Sequence, residues 1–449
     1  MGSYKNFGFF GVVIVFLLCG CSNGEEGASD TNGISNLTNG QSTHVTVEQA
    51  KESLLAFMSE LNGVTRSMKK REITEVFTLG GFNETRANGS AEDTPLVYLF
   101  NFADDQGYAI MSGDTRVGDV LAFVEKGNLD PQEGTDNPGL AIFLSNADTY
   151  YRLKTGLPVY DTGGNLIELL NDDGYDPDID EDYVEYSDWY DSYEYGKKIP
   201  CQWGQEYPLN KFCHTSEGEL AMVGCVAVAV GQIMYYYGYG NMADGTAYDW
   251  NLIRDFRKWN DYTEPSVNAA AKFLSDLGSA GNLNMNYGEE QSGSHTEYVP
   301  RTFRNFGYIH IGEIEDFPSL DSSFSESMRK KRPIYMSGYA TKRTIPNSTL
   351  NIATNNVEYT DGHAWIIDSD LTQKRNIYTY RYDGVLLKTE YETRSLVHCN
   401  WGWYGDADGY YFGNALKPAG GLVIGEKPPY GMGTVHYRYV LKAIPNIYL

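Results

Sequence analysis

The chain opens on an apolar run from Phe9 to Leu18, preceded by a single lysine at position 5. That run is too short to cross a bilayer as a stable helix and reads as the core of a secretory signal peptide. Residues 24–42 are rich in Gly, Ser, Asn and Thr and predict a flexible tether. Helical spacing begins after a Thr46–Gln49 capping box, with Ala50, Leu54, Leu55, Met58 and Leu61 on one face. Strand-like runs follow at 73–79, 96–102, 108–111 and 120–124, joined by Gly- and Asp-rich turns. Pro138 opens a second helical stretch reaching Leu153, with Leu140, Phe143, Leu144 and Tyr151 forming its apolar side. An apolar helical run starts at Cys225. Strand patterns then recur near 334–339, 363–368, 376–382, 386–391, 396–400, 409–413 and 437–443, with Asp383-Gly384 as a hairpin turn. The expected fold class is α+β throughout.

Composition sharpens this outline. The 449 residues are 41% hydrophobic and 14% aromatic, ample for a packed core. A net charge of −25 argues against a general nucleic-acid binder, which needs a basic face. The charge is uneven: residues 1–200 hold 13 basic and 33 acidic side chains, whereas 201–449 hold 22 and 27. From Asn171 to Gly196 there are eleven Asp and Glu and no Lys or Arg, interleaved with tyrosines and Trp189. Such a run reads as a solvated linker, or else as a strap held against another surface by its aromatics. Lys197-Lys198-Ile199-Pro200 closes it and marks an exposed place for proteolysis. The organisation expected is a signal peptide over 1–20, a tether over 21–44, a prodomain over 45–160, an acidic connector over 161–198 and a last domain over 199–449.

Leu18-Cys19-Gly20-Cys21 resembles a bacterial lipobox, with Cys21 as the lipidated first residue of an exported, membrane-anchored protein. An ordinary cleaved signal is the rival. Four cysteines then remain, Cys201, Cys213, Cys225 and Cys399, too few for a disulfide framework and without zinc spacing; pairing of Cys201 with Cys213 stays open. No His/Asp/Glu cluster has ligand spacing either, so neither a metal nor a cofactor is expected.

The candidate chemistry lies in the second half. Gly224-Cys225 heads an apolar helix, whose N-terminus favours thiolate; the alternative is an inert packing cysteine. Gln205 is a neutral donor upstream, fit for an oxyanion hole with the Cys225 N–H. His363 stands at the head of a strand-like run and is fit to take the thiol proton. None of the other six histidines pairs a preceding Gly with such a run. Asn400-Trp401 offers an amide to orient the imidazole and an indole to shield it.

Taken together, Gly224–Tyr236, Gly293–Ser294, Gly362–Ile367 and Asn400–Gly409 resemble the streptopain-like secreted cysteine peptidases, which share the papain-like fold. Asp105–Arg116 looks like the propeptide of that family. The resemblance implies a helix carrying Cys225 packed on an antiparallel sheet, Cys225 as nucleophile, His363 as base and Gln205 in the oxyanion hole. It further implies Ser294 and Gly362 in contact with bound peptide, and Asn400 or Trp401 as the third catalytic member. The protein's partners would be peptide substrates and its own prodomain as intramolecular inhibitor. The departures are the insertion Tyr339–Asp361 just before His363, His295 beside Ser294, and Cys399 beside Asn400, expected to be packing rather than a second reactive thiol. The rival readings are a Cys-His amidase or acyl transferase on cell-wall peptides, and a surface-bound binding lipoprotein with a degenerate peptidase fold.

Overall fold

The computed structural model describes residues 43–65, 71–79, 97–155, 157, 159–160, 166–167, 183–187, 189–242, 244–258, 260–316, 321–338, 362–381, 383–416, 425–426, 436–437 and 441–449. The signal segment, Cys21, nearly all of the tether, most of the connector before residue 183 and the insertion Tyr339–Asp361 lie outside them.

The first helix, α1 (Val47–Thr65), starts on the expected cap: the Thr46 N–H donates to Gln49 Oε1 at 2.8 Å and the Gln49 N–H to Thr46 Oγ1 at 3.3 Å. Strands β1 (Ile73–Leu79), β2 (Val97–Phe102), β3 (Tyr108–Ser112) and β4 (Val120–Val124) then form an antiparallel meander. Every residue of β2, β3 and β4 is buried, because both sheet faces are covered. One face packs Tyr98, Phe100 and Phe102 against Leu54, Phe57 and Leu61 of α1. The other packs Val97 and Leu99 in the core that contains Leu140, Phe143 and Leu144 of α2 (Pro138–Thr155).

The meander does not stop at the end of the N-terminal part. Connector strands β5 (Tyr183–Tyr186) and β6 (Tyr190–Gly196) are followed by β7 (Glu315–Asp316), β8 (Ile334–Gly338), β9 (His363–Tyr380), β10 (Leu386–Asn400), β11 (Gly409–Phe412) and β12 (Lys442–Ile444). Their order in one sheet is β1-β2-β3-β4-β11-β10-β9-β8-β12-β7. Ala122, Phe123 and Val124 of β4 pair with Tyr411, Tyr410 and Gly409 of β11, so the two halves share a sheet and one hydrophobic core.

The described part of the connector departs from the linker reading. Both β5 and β6 pair with β9 along its outer length, and Arg375 lies over the Tyr186 and Trp189 rings at 4.1 and 4.6 Å. The aromatics thus hold an acidic strap against a sheet edge, as the second of the two readings supposed. Lys197-Lys198 is tied down as well: the Lys197 N–H donates to the Asp368 carbonyl at 2.8 Å and the Ile199 N–H to Asp368 Oδ2 at 2.6 Å. Strands β9 and β10 also run longer than their apolar patterns. Polar residues interrupt the patterns at 369–375, yet buried Ser369 and Gln373 find partners in Glu194 and Ser192 of β6.

The apolar helix α3 (Cys225–Tyr237) is buried from Val226 to Tyr235. It lies among Tyr335 of β8, Ala364 and Ile366 of β9 and the side chains of α5 (Glu264–Leu277), which follows the short α4 (Trp250–Asp255). Helices packed on a largely antiparallel, open sheet give the papain-like α+β architecture, preceded by a smaller α+β unit.

Candidate active site

Cys225 is the first residue of α3 and is half-buried. Gly224 before it has φ +89°, and a Cβ there would sit 2.1 Å from Met285 Cε and 2.9 Å from the Ser292 carbonyl. Glycine therefore lets the loop carrying Ser292 and Ser294 close directly over the entry to α3. Ser294 Oγ donates to the Leu283 carbonyl, and Thr296 Oγ1 shares a 2.9 Å hydrogen bond with Ser337 of β8. That loop consequently spans from Cys225 to the strand beside His363. Gln205 is buried, and its carbonyl accepts the Val223 N–H at 2.8 Å, which fixes it two residues upstream of Cys225.

His363 begins β9, paired with Gly338 of β8, and Gly362 before it has φ +78°. The residue is 3% exposed, and its ring stands 2.7 Å from the Trp401 carbonyl through Nε2. A carbonyl only accepts, so Nε2 carries the proton and Nδ1 is left as the basic nitrogen. Burial pulls the His363 pKa down to about 4, against a smaller opposing effect of the Trp401 hydrogen bond, so the ring is neutral at neutral pH.

The carbonyl clamp is itself rigidly held. The Trp401 N–H donates to Asp408 Oδ1 at 2.9 Å, and its indole N–H to the Ala407 carbonyl at 2.9 Å. From the N-terminal half, a Cβ on Gly139 of α2 would lie 2.0 Å from the Trp401 ring. Asn137, which caps α2 through Gly139 and Leu140, donates to the Asp406 carbonyl at 2.8 Å. The Asn400 amide does not reach His363. Its Oδ1 accepts from Gln232 Nε2 at 2.8 Å and from the Gly402 N–H at 3.1 Å, while Nδ2 donates to the Cys201 carbonyl at 2.9 Å. Among the expected site residues, Trp401 contacts His363, Gly362 adjoins it, Gln205 is bonded to the segment just before Cys225, Ser294 lies on the loop packed over Gly224, and Asn400 ties α3 to the turn after Trp401. Cys201, Cys213 and Cys399 are buried thiols, not a disulfide pair and a reactive neighbour. Burial raises all three thiol pKa values.

A second buried histidine was not legible in the sequence. His398 Nδ1 lies 2.6 Å from Asp368 Oδ1, and its Nε2 lies 3.8 Å from Glu125, which follows β4. Burial alone would lower its pKa, but the two carboxylates raise it to about 9. Glu125, also paired with Lys198 at 2.6 Å, is held well below the usual carboxylate range by His398 and Lys198 despite its burial. Gln232 was missed too, although a lone amide in the apolar helix from Cys225 is a visible exception to its pattern.

Comparison with known proteins fits this geometry. Residues 203–411 match the Peptidase C10 family. That stretch is similar to the C10 cysteine peptidases. Residues 42–151 match the Spi protease inhibitor family, so the N-terminal part is propeptide-like. Streptopain of Streptococcus pyogenes is 23% identical over 411 residues, covering 83% of this chain and 85% of streptopain. The thiol protease/hemagglutinin PrtT of Porphyromonas gingivalis is 22% identical over 72% of this chain, which spans only 34% of that relative's length. Among solved structures, a fragment of Prevotella intermedia prointerpain A aligns with 22% identity and a TM-score of 0.45, covering 76% of this chain and 91% of the fragment. Active interpain A of the same organism aligns with 23% identity and a TM-score of 0.35, over 56% and 94% of the two chains.

Proposed function

We propose that this chain is the zymogen of an exported cysteine endopeptidase that hydrolyses peptide bonds through a thioester on Cys225. The observation that carries the reading is the 2.7 Å contact between His363 Nε2 and the Trp401 carbonyl. It supports the tautomer whose unprotonated Nδ1 would take the Cys225 thiol proton. The thiolate then attacks the substrate carbonyl, and the Cys225 N–H and the Gln205 amide hold the oxyanion. As the tetrahedral species collapses, His363 returns the proton to the leaving amine. Water, deprotonated by the same imidazole, hydrolyses the thioester and regenerates the thiol. Trp401 serves as the third member through its backbone carbonyl, with Asn400 supporting it from behind. Ser294 and Gly362 line the peptide-binding groove.

The propeptide-like part acts as intramolecular inhibitor, and export is followed by lipid anchoring at Cys21. The Lys197 and Ile199 N–H bonds to Asp368 and the pairing of β5 and β6 with β9 favour processing upstream of residue 183, so that the strap stays with the enzyme. The test is hydrolysis of a protein substrate, with thiol-directed epoxide labelling located by peptide mass. Hydrolysis lost in Cys225→Ala, with wild-type label confined to Cys225, is the expected result; hydrolysis retained in Cys225→Ala overturns the reading.

A further inference from the structure

Gln232 lies seven residues beyond Cys225 on α3, two turns along the same helix face, and is fully buried. Its Oε1 finds no hydrogen-bond partner, a desolvation cost that an apolar side chain of the same length would not incur. What the amide gains is the 2.8 Å bond from Nε2 to Asn400 Oδ1. Through Asn400 that bond joins three segments. One is α3, with Cys225 at its head. The second is the Trp401-Gly402 turn, gripped by the Gly402 N–H to Asn400 Oδ1 bond, whose Trp401 carbonyl holds His363. The third runs from Cys201, whose carbonyl accepts Asn400 Nδ2, to Gln205. The turn also packs closely on α3, since a Cβ on Gly402 would lie 2.9 Å from Val228 Cγ1.

We infer that Gln232 is a positioning residue: with Asn400 it sets where the Trp401 carbonyl, and hence the His363 imidazole, stands relative to the Cys225 thiol. The inference rests on the peptidase reading and names a residue outside the expected catalytic set. A Gln232→Met substitution keeps volume and length but removes the donor. Its matured enzyme loses about 10- to 100-fold in kcat with KM nearly unchanged, the effect of a small misplacement of reacting groups. In the full chain the pH profile of Cys225 alkylation by iodoacetamide shifts toward alkaline pH, since the imidazole no longer meets the thiol in register.

A wild-type kcat and a wild-type alkylation profile, with only a change in melting temperature, would overturn the role. If Gln232→Met does not fold, Gln232→Glu decides: only its protonated form donates to Asn400. Activity relative to wild type then rises on acidification, and a flat ratio contradicts the inference. A wild-type chain that neither hydrolyses peptide nor reacts at Cys225 removes the peptidase reading and this inference together. An active wild type beside an unaffected Met variant removes the role of Gln232 alone.

Discussion

The propeptide-like part and the peptidase part contribute strands to one sheet but use their buried polar groups differently. In residues 43–155 such groups close local features. Asn101 bonds both the N–H and the carbonyl of Leu129, Asp114 holds Arg116, and Asn137 caps α2. In the peptidase part they converge: His363, Asn400, Gln232, Asp368, His398 and Asp408 are all buried within the network of β9, β10, α3 and the turn after Trp401. Shared packing makes the halves one folding unit; the convergent polar network lies mostly in the second half, with Glu125 of the first reaching His398 and Lys198. Through Gly139 and Asn137 the first half also reaches the turn after Trp401, whose carbonyl holds His363.

The largest expected effect tests that asymmetry. His363→Ala in the matured enzyme lowers kcat/KM by at least about 100-fold, the scale of losing a general base, and peptide hydrolysis kinetics measure it. His398→Gln, an equally buried histidine without a carbonyl clamp, leaves kcat close to wild type. Similar losses from both would dissolve the distinction between the reacting and the supporting histidine.

Next comes the contact between the halves. Gly139→Leu drives a side chain into the Trp401 ring and costs about 1–3 kcal/mol of precursor stability, the range for overpacking. Urea unfolding reads that loss, and the precursor disappears faster during self-processing. A precursor with unchanged stability and processing would show that the grip on Trp401 is not used.

The two histidines also predict opposite pH dependences. His363 has its pKa lowered to about 4 in the fold, so its contribution to stability is complete above the unfolded value of about 6.5 and is lost as pH falls toward 4. His398 has its pKa raised to about 9, so its contribution is complete below about 6.5 and is lost as pH rises through 9. Thermal unfolding of the precursor across this range checks both limbs, and Glu125→Gln flattens the alkaline one. The smallest effect belongs to the exposed Arg381–Asp383 pair: Arg381→Ala changes stability by less than about 1 kcal/mol in the same unfolding assay.

Much of the fold was legible because periodicity reports which face is buried. The α1 cap, the four-strand meander, α2 and α3 lie where the pattern put them. The strap was harder, since carboxylates on β5 and β6 mimic a solvated linker until Arg375 and β9 are seen beside them. The proposed site residues stood out by chemistry at motif spacing, whereas their supports did not. Asp368 and His398 are 30 residues apart in sequence and meet only through strand pairing. The carbonyl clamp on His363 is a backbone atom, and no side-chain pattern announces it.

The most direct measurement is incubation of the purified precursor, wild type and Cys225→Ala, followed by intact mass and N-terminal sequencing of the products. The account predicts that the wild type shortens itself by cleavage in the connector upstream of the strap, before residue 183, while the Cys225→Ala chain keeps its full mass. Self-shortening by the Cys225→Ala chain at the wild-type rate would contradict it.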